Sequence, residues 1–517
     1  MSSPALTPSS AVEIDGQSLT LERFAAVVAG APCSLAPVAR ERVLASRAAV
    51  ERALASGAAI YGINTGFGDL ASVRIGPEKL ELLQEKLILS HAAGMGEPLP
   101  DPAVRGMLLL RANTLARGFS GVRAEVIDAL LALLDRSVLP VVPSRGSVGA
   151  SGDLAPLAHL ALPLLGRGRV RVDGVETSAA EGLAQAGLAP LVLQAKEGLA
   201  LINGTQAMTS LLALTALEAR RLARAADLIG ALSTDALRGT DTAFDARIHA
   251  LRPYPGQVAS AANLWRLLQG SAIRESHRTG DVRIQDPYSV RCMPQVHGAA
   301  RGLLADVEAK LAIEMNAVTD NPLVVETPGG GDEREVLSGG NFHGEPMAFA
   351  ADVLTLALAE LGSISERRIE KLTNAAFSGL PPFLVRDAGL NSGFMIAQVT
   401  AAALVAENKI LAHPASVDSI PTSADKEDHV SMGMGAALKL TAVADNLRRV
   451  LAIELVAAAQ GIDLLRPLTS SPPLEALHSA LRAHIAPWDE DREMAPDLVR
   501  AEQFLRGEID PHLASLG

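Results

Sequence analysis

Residues 433–462 read GMGAALKLTAVADNLRRVLAIELVAAAQGI, and this stretch indicates the fold class. Its apolar residues recur every three or four positions with few internal breakers, which is the period of a long α-helix. Most of it, 436–460, is also the strongest membrane-spanning candidate that hydropathy suggests. Charged residues interrupt this candidate and favour a buried bundle helix over a membrane span: Lys439, Asp445, Arg448, Arg449 and Glu454.

The same helical period occurs in four more stretches, at 205–232, 293–316, 346–372 and 391–411. Several long helices in succession predict a mainly α fold with a long central helical bundle. We expect a smaller, mostly helical N-terminal domain at 1–118 and a bundle domain at 119–517.

Two short segments are typical of β-hairpins. Val12–Gly16 and Val170–Val175 both alternate apolar with polar residues around an Asp-Gly turn. The stretch Thr327–Asp332 is rich in Pro and Gly, so we expect an exposed loop there.

The composition excludes several classes of partner. A net charge of −12 over 517 residues disfavours nucleic acid and acidic membranes. Cys33 and Cys292 are the only cysteines, so a disulfide framework or a cysteine-based zinc site is not expected. The segment Met1–Ser10 lacks a basic region followed by an apolar core, and we therefore expect a soluble, cytoplasmic protein.

Residues 145–153, RGSVGASGD, contain a tripeptide that can cyclise on itself. The backbone nitrogen of Gly152 can attack the carbonyl carbon of Ala150, because glycine permits close backbone approaches. Loss of water from the ring and from Ser151 would leave an exocyclic methylidene, an electrophile that ordinary side chains do not provide. Alone, the tripeptide is common and a structural turn is the default interpretation. The segment lacks the Lys-Ser/Thr ending of a phosphate loop and follows no clear strand, which disfavours nucleotide binding.

Tyrosine is scarce, with only Tyr61, Tyr254 and Tyr288 in the chain. Tyr61 and Tyr288 lie in polar segments rich in turn formers, YGINTGFG and QDPYSVR. A packing tyrosine would more often lie on an apolar helical face. These two tyrosines therefore lean towards function.

A set of motifs in fixed order resembles the aromatic amino acid ammonia-lyases. The motifs are 61–66 (YGINTG), 146–159 (GSVGASGDLAPLAH), 201–206 (LINGTQ), 285–291 (QDPYSVR), 340–343 (GNFH) and 427–429 (EDH). The resemblance implies a 4-methylideneimidazol-5-one prosthetic group formed autocatalytically from Ala150, Ser151 and Gly152, with no external cofactor. It also implies a homotetramer whose active sites draw residues from more than one subunit.

Within that family, Ser90-His91 resembles the histidine-specific branch, as do 390–398 and 427–429. Those features imply deamination of L-histidine to trans-urocanate and ammonia, the first step of histidine breakdown. A lone helical histidine such as His91 more often makes a structural hydrogen bond to the backbone. Its place in the Ser90-His91 pair favours substrate recognition instead. The alternatives are a tyrosine or phenylalanine lyase, a 2,3-aminomutase with the same group, or a non-catalytic helical homologue.

The matching motifs supply candidate catalytic residues. Tyr61 is the candidate base for the β-proton, although an unperturbed phenol with a pKa of ~10 is a weak base. Glu427 could hold the imidazole or the amine, or act as a base. Tyr288 would orient the ring or the substrate.

The candidate binding residues differ in what they can hold. Arg291 suits the substrate carboxylate, since its planar fork matches two oxygens. Asn203 and Gln285 are uncharged amides suited to the ring carbonyl or the carboxylate. His91, beside Ser90, would recognise the substrate imidazole, and Phe342 would form a wall that excludes water. The sequence thus offers six substrate-binding candidates: Ser90, His91, Asn203, Gln285, Arg291 and Phe342.

The chain departs from the family pattern directly before Glu427. Relatives usually have Asn-Gln where this chain has Asp425-Lys426, so family roles are not transferred to these two positions.

Two pairs of possible metal ligands, His343 with Glu345 and Glu427 with His429, do not match zincin spacing, and no third ligand is evident. We expect no catalytic metal.

Overall fold

The computed structural model describes residues 11–56, 62–66, 74–281, 283–329 and 333–517. Within these residues the chain is mainly helical, as predicted. The α-helices are α1 Leu21–Val28, α2 Pro37–Ala55, α3 Leu80–His91, α4 Asp101–Ala116, α5 Ala124–Asp135, α6 Leu154–Ala161, α7 Ala179–Ala186, α8 Glu197–Ile202, α9 Gln206–Ala236, α10 Ala246–Ala250, α11 Pro255–Leu268, α12 Ala272–Ser276, α13 Tyr288–Arg291, α14 Met293–Glu314, α15 Glu345–Thr373, α16 Ala375–Ser378, α17 Met395–Leu411, α18 Gly433–Leu464, α19 Pro472–Arg482, α20 Ala495–Gln503 and α21 Asp510–Leu513.

The strands are short and form small sheets. They are β1 Val12–Ile14, β2 Cys33–Leu35, β3 Met95–Pro98, β4 Leu139–Pro140, β5 Pro143–Arg145, β6 Arg169–Val172, β7 Val175–Ser178, β8 Leu323–Glu326 and β9 Arg334–Leu337. The β1 strand pairs with β2 in parallel, β3 pairs with β5, β8 with β9, and β6 lies between β4 and β7.

The two hairpin predictions had opposite outcomes. The β6–β7 hairpin is confirmed: its turn residues Asp173 and Gly174 both have left-handed backbones, with φ of 51° and 78°. This is the geometry that favours Asp-Gly in two-residue hairpins. The prediction at Val12–Gly16 is wrong, because Val12–Ile14 pairs in parallel with the distant strand Cys33–Leu35. Asp15 closes a local turn instead, where its Oδ1 accepts from two backbone amides at 2.8 Å.

The chain divides into two compact units. The first contains 1–214, 308–352 and 414–438, and the second contains 215–307, 353–413 and 439–517. Neither unit begins or ends near residue 118, where the sequence predicted a boundary. Segments that are distant in the sequence pack within the same unit, and composition shifts along the chain do not mark such divisions.

The first unit is organised around α4, on which nearly every side chain from Ala103 to Ala116 is buried. Helix α4 packs against α1 and α5. Helices α3, α6 and α8 pack against one another. Helix α3 ends at His91, α6 begins at Leu154 directly after the predicted loop, and α8 ends just before Asn203.

The second unit contains most of α18, in which residues 450–462 are buried on every face. A helix that is apolar all round belongs in a core, and this confirms the bundle interpretation. The buried Glu454 is paired with Arg368, whose Nη2 lies 2.9 Å from Glu454 Oε2. Ser233 also donates to this carboxylate, at 2.6 Å. The buried charge of the Glu454 carboxylate is therefore neutralised and hydrogen-bonded, as burial requires.

One helix in the described ranges, Glu345–Thr373, is long and apolar enough to cross a membrane by length and composition. Of its apolar window, 67% is buried inside the protein, and core helices pass the same test. The stretch 436–460, which hydropathy suggested, does not meet this criterion of length and apolar composition.

Candidate active site

The loop before α6 has a backbone that only glycine adopts easily. Gly152 has φ of +72°, and a Cβ added there would lie 2.2 Å from the carbonyl oxygen of Gly204. Gly149 has φ of +70°, and its added Cβ would lie 2.1 Å from Ser431 Oγ. The close approach at Gly152 is fixed by the neighbouring Asp153, whose backbone N–H donates to Gly204 O at 2.7 Å. The glycines of this loop are therefore steric requirements.

Asp153 anchors the loop from inside the first unit. Its Oδ1 accepts from Ser147 Oγ at 2.9 Å, and its Oδ2 accepts from the backbone N–H of Met208 at 2.9 Å. Burial raises the pKa of Asp153 to about 6, although both hydrogen bonds act in the opposite direction. The carboxyl thus ties the loop to the first turn of α9.

A distant segment covers the loop on another side. The backbone N–H of Met432 donates to Val148 O at 2.8 Å, and Ser431 Oγ donates to Gly149 O at 3.2 Å. These contacts bring the start of α18 against the loop, although almost three hundred residues separate the two in the sequence.

Ser151 is in direct contact with Glu427. Ser151 Oγ donates to Glu427 Oε1 at 2.9 Å. The other carboxylate oxygen accepts from Thr422 Oγ1 at 2.7 Å and from Ser423 Oγ at 3.0 Å. With three hydroxyl donors around it, the Glu427 carboxylate is held in one orientation beside the candidate electrophile.

Asn203 lies at the end of α8 and is 3% exposed. Its Nδ2 donates to Asn321 O at 3.1 Å, and its backbone carbonyl accepts from the buried guanidinium of Arg111 at 2.9 Å. Its Oδ1 is buried without a hydrogen-bond partner among the described residues. A buried unpaired acceptor is costly, so this atom is available to a further donor.

His91 ends α3 with its Nδ1 2.9 Å from Leu87 O. Since a carbonyl can only accept, Nδ1 carries the proton, and Nε2 of the neutral ring is an acceptor. Burial lowers the pKa of His91, while the Leu87 carbonyl and the Glu427 charge raise it less strongly. Ser90 Oγ also approaches Nδ1, at 3.1 Å.

A cavity of about 1080 Å³ in the first unit brings most of these groups together. The predicted residues that line it are Ser90, His91, Ala150, Ser151, Asn203, Phe342 and Glu427. Gly152 lies next to this wall, in contact with Gly204. Tyr61 lies outside the described residues.

Three predicted residues line a different cavity, of about 570 Å³, in the second unit: Gln285, Tyr288 and Arg291. The Arg291 guanidinium lies 4.7 Å from the centre of the Tyr288 ring, and Tyr288 is 70% exposed. Lys371 also lines this cavity, with its Nζ 3.6 Å from the ring centre of Phe377. The predicted carboxylate clamp is therefore not in the cavity that contains Ser151.

The sequence interpretation missed several residues of the larger cavity. Lys86 lies one helical turn before Ser90 on α3, so helical spacing could have found it. Lys426, at the departure from the family pattern, also lines the cavity and is exposed. It follows three consecutive residues with left-handed backbones, 423–425, which the sequence does not indicate.

A cluster of three possible metal ligands was also missed. His343, Glu345 and His429 place their ligand atoms within 4.8 Å of one another. In the sequence His343 lies close to Glu345, and spacing indicates no third ligand. His429 completes the cluster from a segment more than eighty residues away, which spacing alone does not reveal.

Comparisons with known proteins agree with the motifs. The family model for aromatic amino acid lyases matches residues 19–483. The chain is 56% identical over 499 residues to histidine ammonia-lyase of Anaeromyxobacter sp. (strain K), covering 94% of this chain and 96% of that protein. It is 54% identical to histidine ammonia-lyase of Deinococcus radiodurans, with 95% and 92% covered.

Solved structures show the same relationship. The crystal structure of histidine ammonia-lyase from Trypanosoma cruzi matches with a TM-score of 0.89 and 45% identity, covering 98% of this chain and 95% of that one. Tyrosine aminomutase from Streptomyces globisporus matches with a TM-score of 0.92 and 38% identity, covering 98% and 99%. The sequence resemblance is confirmed: this chain belongs to the aromatic amino acid lyase family.

Proposed function

We propose that this lyase removes ammonia from L-histidine without oxidation and releases trans-urocanate. The observation that carries the proposal is the cavity that holds the His91 imidazole and the Ser151–Glu427 pair together. Four relatives at 52–56% identity that bear the name histidine ammonia-lyase support the choice of substrate.

The prosthetic group implied by the family is 4-methylideneimidazol-5-one, made from Ala150, Ser151 and Gly152. The residues fit such a group, because the Gly152 backbone is already left-handed and pressed against Gly204. Asn203 lines the same cavity, and its buried Oδ1, unpaired among the described residues, can accept a hydrogen bond from the substrate amine, because the finished ring carries no N–H group. The group supplies an electron-poor carbon, which ordinary side chains lack.

Recognition of the substrate imidazole is assigned to His91 and Glu427. The Nε2 atom of neutral His91 can accept from an imidazole N–H, while a hydrocarbon ring offers no such donor. Burial, which lowers the pKa of His91, keeps this acceptor available near neutral pH. Sites built on such bonds reject analogues that lack them.

Breaking the C–N bond also requires that the β-proton be taken by a base. Tyr61 remains the candidate base, and Glu427 is the alternative that the contacts support. Glu427 is oriented through Oε2 by Thr422 and Ser423. Its Oε1 accepts from the Ser151 hydroxyl, and loss of that hydroxyl on dehydration would leave Oε1 free to hold the departing amine or take a proton. Phe342 contributes an apolar wall, which limits water around the reacting atoms.

We propose further that Gln285, Tyr288 and Arg291 act in the site of a neighbouring copy within a homotetramer. The exposure of Tyr288 supports this, because a ring that binds substrate in its own subunit would be expected in the cavity with Ser151. Arg291 would then clamp the substrate carboxylate of the neighbouring site. We place the enzyme in the cytoplasm, in keeping with its free Cys33 and Cys292.

Substrate preference separates this proposal from a tyrosine or phenylalanine lyase or an aminomutase. Purified protein is incubated with L-histidine, L-tyrosine or L-phenylalanine, and the ultraviolet absorbance of each unsaturated acid is followed. We expect urocanate from L-histidine only. Turnover of L-tyrosine without L-histidine would overturn the proposal, and β-amino acid detected by chromatography would indicate an aminomutase.

Ser151→Ala tests the electrophile with a matched control at the exposed Ser479 on α19. Intact mass spectrometry should show the loss of two water molecules in the unaltered chain and in Ser479→Ala. Ser151→Ala should lack that loss and be inactive. An active Ser151→Ala protein would contradict the assignment of the loop.

A further inference from the structure

We infer that His343, Glu345 and His429 form a binding site for a divalent transition-metal cation in the wall of the larger cavity. All three offer ligand atoms within 4.8 Å of one another. Two imidazoles and one carboxylate are the donor set that suits Zn²⁺ and Co²⁺, whereas Mg²⁺ and Ca²⁺ prefer oxygen ligands alone.

The Glu345 carboxylate supports the metal site by an observation that is independent of the short distances. Its Oε2 is buried and has no hydrogen-bond partner among the described residues. A buried anionic oxygen without a donor is strongly disfavoured unless a cation or a hydrogen bond compensates it. Glu345 is the first residue of α15, where the helix dipole favours a carboxylate, but the dipole does not coordinate a buried oxygen.

The His343 imidazole is only weakly engaged by the protein. His343 Nε2 lies 3.3 Å from His429 O, and His343 Nδ1 accepts from the Glu345 backbone N–H at 3.4 Å. Both distances exceed the usual range for hydrogen bonds of this type. Replacing either contact by a metal bond therefore costs little.

The movement needed to close the site is small. Metal–ligand bonds of about 2.0–2.2 Å in a tetrahedral site place ligand atoms roughly 3.5 Å apart. The present separations, up to 4.8 Å, can close by side-chain rotation, because His429 is exposed. His343 and His429 both line the cavity, so the fourth position would be open to it.

A cation here would join two segments that carry candidate active-site residues. His343 follows Phe342 directly, and His429 is two residues after Glu427. The bound ion would link the apolar wall to the segment that orients the carboxylate. This inference is independent of the proposed reaction, since binding can be measured without turnover.

The test uses the full-length enzyme, stripped with a chelator and dialysed free of it. Zn²⁺ is titrated calorimetrically, and Co²⁺ is followed by its visible absorption, in the absence of L-histidine, which itself chelates both ions. We expect one ion per chain. Replacing any one ligand, in His343→Gln, Glu345→Gln or His429→Gln, should weaken binding at least ~10-fold, because each removes one of three protein ligands.

A matched control is His413→Gln, which alters an exposed histidine outside the cluster. It should bind one ion as tightly as the unaltered chain. If Glu345→Gln fails to fold, the exposed His429→Gln decides the outcome. Absence of binding to the unaltered chain, or unchanged affinity in both histidine variants, would overturn the inference. Ser151→Ala should still bind the ion, which separates this result from failure of the proposed function.

Discussion

Replacing Gly152 by alanine tests whether the loop geometry is required for the proposed cyclisation. A side chain at φ of +72° incurs a left-handed strain of about 1–2 kcal/mol. Its Cβ would also lie 2.2 Å from Gly204 O and force that carbonyl away from the Asp153 backbone N–H. Leaving a buried hydrogen-bond partner unpaired costs a further ~1–3 kcal/mol. We therefore expect a total loss of about 2–5 kcal/mol in the free energy of unfolding.

Gly174→Ala is the matched control, because Gly174 has φ of +78° and nothing within 4 Å of an added Cβ. It should show only the backbone strain, about 1–2 kcal/mol. Urea titration followed by circular dichroism compares the two, and intact mass shows whether two waters are lost. The reasoning is refuted if Gly152→Ala is no less stable than Gly174→Ala and still loses both waters.

Other changes give separate expectations. His91→Leu should reduce kcat/KM for L-histidine by roughly 10–100-fold, which is the effect of one lost hydrogen bond to a buried group. Leu89→Ala, on the exposed face of α3, should leave kcat/KM unchanged. Equal losses in both variants would refute recognition by His91. Ser151→Ala and Arg291→Gln should each be inactive alone, but co-expression should restore partial activity if sites are shared between copies, and no recovery in a verified mixed oligomer would contradict sharing. Asp153 has a folded pKa of about 6 against an ordinary value of 3.8, so it stabilises the fold below 3.8 and that contribution is lost as pH rises through about 6. As the pH rises from 3.8 to about 6, the urea midpoint should therefore decrease more in the unaltered chain than in Asp153→Asn. Parallel pH profiles of the two proteins would count against the raised pKa of Asp153.

The fold class was predictable where local pattern and burial agree. Residues 450–462 are apolar except for Glu454 and Gln460 and are buried on all sides, so helical periodicity was a sufficient guide. The hairpin at Val170–Val175 was predictable because its turn chemistry is local. The strand at Val12–Ile14 was not, since it pairs in parallel with Cys33–Leu35 beyond an intervening helix, and no local turn signal marks such a partner.

The candidate site was predictable as a set of residue types but not as an arrangement. Motif resemblance identified Ser151 and Glu427 separately, and only the fold shows their hydroxyl–carboxylate contact across 276 positions. The same limit hid His429 as a neighbour of His343. Arg291 and its neighbours lie in another cavity, a result that depends on tertiary structure alone.

The contacts of Val148 and Gly149 with Met432 and Ser431 have a consequence for the order of events during synthesis. A ribosome-bound chain that ends before 427 lacks both Glu427 and the segment that covers the loop. The loop can reach its observed geometry only after most of the polypeptide has been made. Under the proposed chemistry, dehydration would then be a late event, and the two missing waters would distinguish completed, correctly packed molecules from truncated or misfolded ones.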